Sequence, residues 1–169
     1  MENNHIRNHI CGNQYRSERN RCGRIEREML YSDGCDMKCQ NERDVEVCYI
    51  DVQKNAYKNK QFRNIIWTGN HLQMTLMSIP CSQGIGVEVH DDSDQYIRVE
   101  DGYAMVLTGK SETCLHNKQR LCKGDAVLIP AGVWHDVVNI GRSALKLSSV
   151  YAPPNHLKCD INDHKKDIY

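Results

Sequence analysis

From about Val45 onward, apolar and polar residues follow a period of two rather than the helical 3.6. The run "VEVCYIDV" sets Val45, Val47 and Tyr49 opposite Glu46, Cys48 and Ile50, which predicts a strand. "QFRNIIWT" and "HLQMTLMSIP" continue the pattern, broken by Thr68-Gly69-Asn70. "IGVEVH", "QYIRVE" and "YAMVLTG" come next. They are divided by "DDSD" and by Asp101-Gly102, a dipeptide that favours a hairpin. "DAVLIP", "HDVVNI" and "ALKLSSVYA" complete the set, with breaks at Ala131-Gly132 and Gly141. No ten-residue amphipathic helical pattern appears after residue 45. Short strands at regular intervals predict an all-β sandwich or barrel.

The flanks differ in texture. Residues 1–44 are rich in Asn and Arg and poor in large apolar side chains. Such a segment buries too little apolar surface to offset its ordering entropy. It is expected to be an extension, flexible or held against a partner, with a short helix near Glu26 to Tyr31. The barrel is expected over residues 45–155. A polar tail, residues 156–169, follows Pro153-Pro154.

Charge and cysteine content narrow the setting. The chain carries 22 basic and 22 acidic residues, a formal net charge of zero. That gives no electrostatic case for nucleic acid or an anionic membrane as partner. No stretch has the length and apolarity of a membrane span, and the N-terminal residues lack a secretory h-region. A cytoplasmic location is the expectation. Nine cysteines, an odd number, cannot all pair within one chain. Without an export signal, reduced thiols are expected. Cys35 and Cys39 have a spacing that can chelate zinc, but no second pair follows at zinc-ribbon distance, so they read as ordinary thiols in a polar segment. Cys11, Cys22, Cys35, Cys39 and Cys48 also allow cross-linking in an oxidised assembly, such as a spore coat.

The candidate chemistry sits inside the strand region. Glu88 and His90 are two apart, so on a strand both point to one face, with Val87 and Val89 on the other. Gln95 opens the next strand. "GDAVLIPAGVWHDVVN" brings His135 to a strand start after a Pro-x-Gly turn. In an antiparallel barrel such positions can converge on one interior point. Trp134 falls on the face opposite His135. Asp91, Asp92 and Asp94 read as a solvated turn, and Asn139 as a cap on a local turn. Gly124, Pro130 and Gly132 shape turns. His71, His116, His156 and His164 have no partner spacing.

Two segments carry a family resemblance. Residues 84–102, "GIGVEVHDDSDQYIRVEDG", resemble the first cupin motif. Residues 124–139 resemble the second at Gly124, Pro130, Gly132, His135 and Asn139. The two motifs occur in order, 21 residues apart, and the resemblance covers roughly residues 45–155. It implies a cupin fold, a double-stranded β-helix or jelly-roll barrel, around one divalent metal. The family usually supplies three histidines and a glutamate. Here Glu88 stands where the first histidine is usual, and Gln95 where the glutamate is usual. The implied ligands are therefore Glu88, His90, Gln95 and His135. Two imidazoles and one carboxylate suit iron, manganese, nickel or zinc.

The stretch from "WTGNHLQMTLMSIP" to "LKLSSVYAPPNH" is further similar to small single-domain cupins described as mannose-6-phosphate isomerase-like. That implies aldose–ketose isomerisation of a sugar phosphate, with the metal polarising the carbonyl and Glu88 as catalytic base. Arg63, Arg98 and Lys146 are the candidate phosphate cations, although Arg98 alternates away from Gln95. A metal-dependent dioxygenase is the alternative. A third possibility is a non-enzymatic binding or structural protein on a barrel scaffold. Cupins commonly pair through edge strands, so a homodimer is expected, with a small molecule as ligand.

Overall fold

The computed structural model describes residues 47–156 and the two-residue strand Ile161–Asn162. The polar extension over residues 1–44, its helix near residues 26–31, the Cys35/Cys39 pair and nearly all of the tail lie outside the described residues. Cys48 is disulfide-bonded, contrary to the expectation of reduced thiols. Cys81 and Cys114 are free.

The strand expected over 45–52 does not form in its described part. Residues 47–51 have no regular structure, and helix α1 (Val52–Lys58) begins there instead. Asp51 accounts for the switch. Its side chain accepts a hydrogen bond from the Lys54 amide at 3.0 Å, satisfying an orphan donor of the first turn. The buried Ala56 then packs with Ile66 and Leu76. Three-dimensional packing of this seven-residue helix overrides the short period-two pattern.

Nine strands follow among the described residues. They are β1 (Arg63–Thr68), β2 (Gln73–Ile79), β3 (Asp94–Asp101), β4 (Tyr103–Gly109), β5 (Asn117–Cys122), β6 (Ala126–Ile129), β7 (Trp134–Asn139), β8 (Leu145–Ala152) and β9 (Ile161–Asn162). They form a six-stranded sheet ordered β6-β3-β8-β2-β1-β9 and a three-stranded sheet ordered β5-β4-β7. Their pairings are antiparallel. Between the sheets lies a core that includes Met77, Ile79, Val99 and Leu147 from the large sheet, and Ala104, Val106 and Val137 from the small one. This is the all-β jelly-roll architecture anticipated from the strand pattern.

Two local expectations need correction, and one strand, β5, has no counterpart in the sequence pattern. Asp101-Gly102 is not a hairpin turn, because β3 and β4 belong to different sheets. Gly102 takes φ +96° at the corner, and a Cβ there would lie 3.3 Å from the Leu145 Cα. The dipeptide is used for its positive φ and its lack of bulk, not for strand pairing. "IGVEVH" is not a regular strand. It touches β7 through two isolated bridges, Gly84 to Val138 and Glu88 to His135. Strand β5 carries no alternation signal because it is mostly exposed and lies at a sheet edge.

Register on the inner face sorts polar from apolar residues. In β2, Thr75 faces Ser149 of β8, and Met77 faces Leu147. In β3, Gln95 faces Tyr151, and Val99 faces Leu147. The inner wall therefore runs from a polar layer (Gln73, Thr75, Gln95, Ser149, Tyr151) to an apolar floor (Met77, Ile79, Val99, Leu145, Leu147). Arg63 of β1 lies opposite Met77, on the same face.

Candidate metal centre

Backbone pairing brings Glu88 and His135 together. Each donates its amide to the other's carbonyl at 2.9 Å. The turn before β7 sets the position of His135. Gly132 holds φ +77° and donates to the His90 carbonyl at 2.8 Å. The second motif thus positions His135 and fixes the backbone of His90 as well.

The side chains converge. Glu88 Oε1 lies 3.3 Å from His90 Nε2 and 3.4 Å from His135 Nε2. One ligand atom from each of the three residues lies within 4.8 Å of the others. The His135 side chain is fully buried, and that of His90 is 8% exposed. Three of the four residues singled out from the sequence are therefore one cluster. Gln95 is buried on the inner face beside Tyr151. Its amide nitrogen donates to Ser149 Oγ at 3.1 Å, and its Oε1 has no partner.

The imidazoles have fixed surroundings. His135 Nδ1 lies 2.9 Å from the Val133 carbonyl, which can only accept, so Nδ1 carries the proton. The other nitrogen, Nε2, is fully buried and faces Glu88 Oε1 at 3.4 Å, so it is the nitrogen that a metal would take once its proton is displaced. This is the arrangement of a metal-ligating histidine, oriented through its other nitrogen. His90 Nδ1 lies 3.0 Å from the Asn155 side-chain amide. The amide nitrogen Nδ2 faces Nδ1 and donates to it, so the His90 proton sits on Nε2, 3.3 Å from Glu88 Oε1, and is the proton that a metal would displace.

Electrostatics favour an ionised carboxylate. Burial pushes the Glu88 carboxyl up, but hydrogen bonds from His135 and His90 and the charge of Arg63 outweigh burial. The net result lies well below the usual carboxylate range. Burial pulls the His135 imidazole down, while Glu88 and the Val133 carbonyl pull it up more strongly, so it ends above its ordinary value. Burial and the Glu88 charge push the Tyr151 phenol upward, which keeps it a neutral donor.

Of the candidate phosphate cations, only Arg63 reaches the cluster, with Nη2 3.5 Å from Glu88 Oε2. Arg98 pairs with Glu100 at 2.7 Å, and Lys146 donates to Asn59 and Ser78. Sequence reasoning missed Tyr151, Asn155 and His156. The Tyr151 ring sits 5.4 Å from His90 and 4.8 Å from His156. Alternation in "LKLSSVYA" already placed Ser149 and Tyr151 with Leu147 on the core face. That polar pair on an apolar stripe was the available signal. Asn155 and His156 left no signal, because their placement depends on the path taken after the cis Ala152-Pro153 bond.

Two packed antiparallel sheets with a Glu/His/His cluster between them define a cupin, and the chain belongs to the cupin superfamily. The cupin domain family matches residues 75–151. The uncharacterized protein YrkC of Bacillus subtilis is 40% identical over 118 residues, which are 70% of this chain and 63% of that protein. This chain thus spans less than two thirds of that relative's length. The uncharacterized protein L612 of Acanthamoeba polyphaga mimivirus is 38% identical over 118 residues, 69% of this chain and 72% of that protein. The crystal structure of BH2720 from Bacillus halodurans aligns with a TM-score of 0.70 at 41% identity, covering 71% of this chain and 91% of that one.

Proposed function

We propose that this chain is a divalent-metal-binding cupin that acts on a small molecule inside its barrel. Glu88, His90 and His135 would be the protein ligands, with Gln95 as a fourth through its unpartnered Oε1. The observation that carries this reading is the His135 ring. Its Nδ1 proton is held by Val133, and its Nε2 is buried 3.4 Å from the Glu88 carboxylate, with His90 Nε2 3.3 Å from the same oxygen. The unpartnered Gln95 Oε1 in a buried site costs about 1–3 kcal/mol, a cost that coordination would remove. When bound, such an ion supplies Lewis-acid polarisation of a carbonyl or, as iron(II), activation of dioxygen.

The chain's own residues define what each reading requires. Aldose–ketose isomerisation needs a base, and Glu88 is the candidate. Its proton affinity is low, because two imidazoles and Arg63 surround it, which weighs against that role. The commitment of Arg98 and Lys146 to other partners weighs against a phosphate group in the substrate. The dioxygenase reading is supported by the ligand types, since two imidazoles and one carboxylate within 4.8 Å of one another suit iron(II).

Metal content after reconstitution with manganese, iron, nickel or zinc tests the class. About one equivalent is expected in the wild type and less than about a tenth in His135→Ala. A wild-type protein that takes up none of the four metals removes this reading. Solvent deuterium entering an aldose phosphate, against oxygen uptake with iron(II), then separates the two chemistries.

A further inference from the structure

Three buried polar atoms have no hydrogen-bond partner among the described residues, Arg63 Nε, Thr75 Oγ1 and Gln95 Oε1, and the buried Tyr151 hydroxyl on the inner wall faces Ser149. Folded interiors leave few such groups, and each needs a reason. Register gathers three of these residues. Tyr151 lies between Gln73 and Gln95, and Thr75 is opposite Ser149, the acceptor of the Gln95 amide. The Tyr151 ring meets the His90 ring at 5.4 Å. Thr75, Gln95 and Tyr151 thus belong to the polar layer beside the Glu88–His90–His135 cluster. Arg63 starts in the apolar row, opposite Met77, and its guanidinium reaches Glu88 at 3.5 Å.

Arg63 is the informative member. Its side chain is only 13% exposed, yet its 3.5 Å ion pair with Glu88 is long for a charge-assisted hydrogen bond. Glu88 and Arg63 balance one another in charge. A divalent ion on the cluster adds two positive charges that nothing described in the polar layer neutralises, and buried net charge is costly. An anion that accepts from the guanidinium and from the Tyr151 hydroxyl would supply the balancing charge.

We propose that this chamber binds a small carboxylate carrying an adjacent hydroxyl or keto oxygen. The carboxylate sits on Arg63 and Tyr151, and the second oxygen lies toward the metal cluster. A guanidinium fork matches the two oxygens of a carboxylate. A phosphate dianion would need further cations, and Arg98 and Lys146 are committed elsewhere. The inference rests on the metal reading above and names the ligand class for that site.

Calorimetric titration of glycolate, pyruvate, acetate and inorganic phosphate into the manganese-loaded full-length protein tests it. Manganese content is measured on every sample. Glycolate or pyruvate is expected to bind more tightly than acetate or phosphate. Arg63→Gln should weaken that binding roughly 10- to 150-fold per manganese-loaded site, the loss of a charge-assisted contact. Arg63→Lys should recover part of it, and Tyr151→Phe should weaken it about fivefold in an otherwise intact barrel. Equal carboxylate affinity in wild type and both Arg63→Gln and Tyr151→Phe overturns the inference. So does tighter binding of phosphate, or full manganese loading with no carboxylate binding, and in these cases the metal reading stands. A wild type that takes up no manganese or other metal overturns both.

Discussion

At the scale of single residues, the cluster is defined by which nitrogen carries each proton. The Val133 carbonyl holds a proton on His135 Nδ1, and the Asn155 amide nitrogen orients His90 by donating to its Nδ1. Replacing Asn155 by Leu should lower metal affinity about 10- to 100-fold, measured by competition with a chelator, because His90 loses the partner that orients it. Metal uptake should also depend on pH. His135 holds its proton above the ordinary imidazole value of about 6.5, and a metal must displace that proton. Affinity should therefore rise from about pH 6 to pH 8, read by metal titration at each pH. The metal-free protein has a separate signature. The raised His135 value contributes stability that is full below the unfolded imidazole value and is lost as pH rises through the folded value. The lowered Glu88 value contributes stability present above the unfolded carboxylate value and lost as pH falls through the folded one. Thermal melts of metal-free protein should show this pair most stabilising between the two unfolded values, with Glu88→Gln flattening the profile.

At the scale of elements, turns deliver the ligands. The Ala131-Gly132 break before β7 allows His135 to face inward while Trp134 is only partly buried. Gly132 has φ +77°, and a Cβ there would meet nothing within 4 Å. Gly132→Ala therefore isolates backbone strain from crowding. It should cost about 1 kcal/mol in denaturant unfolding and weaken metal binding, since the same turn bonds the His90 carbonyl. The segment with Glu88 and His90 shows why period alone misleads. Two residues apart is a strand-like spacing, and the two side chains do meet. Yet the segment is held by isolated bridges to β7, not by a continuous ladder. The chemistry needed the side-chain direction and not the strand.

At the scale of the whole molecule, the six-stranded sheet ends at β6, where Leu128 is 78% exposed. An apolar side chain on an edge strand favours association. We expect a homodimer, and light scattering after size exclusion at micromolar concentration should give twice the chain mass. Leu128→Lys should shift that equilibrium toward monomer. The sequence by itself determined the fold class, since alternation and turn residues are local signals that survive without neighbours. It also singled out Glu88, His90 and His135, because motif spacing records where strand starts fall. Tertiary structure alone decided the rest. Helix α1 replaced an expected strand once Asp51 capped it and Ala56 found Ile66 and Leu76. Asp101-Gly102 became a corner between sheets. The polar layer of Gln73, Thr75, Gln95, Ser149 and Tyr151 came together only through register across three strands. Register follows from side chains packing across strands far apart in sequence, so no local pattern records it.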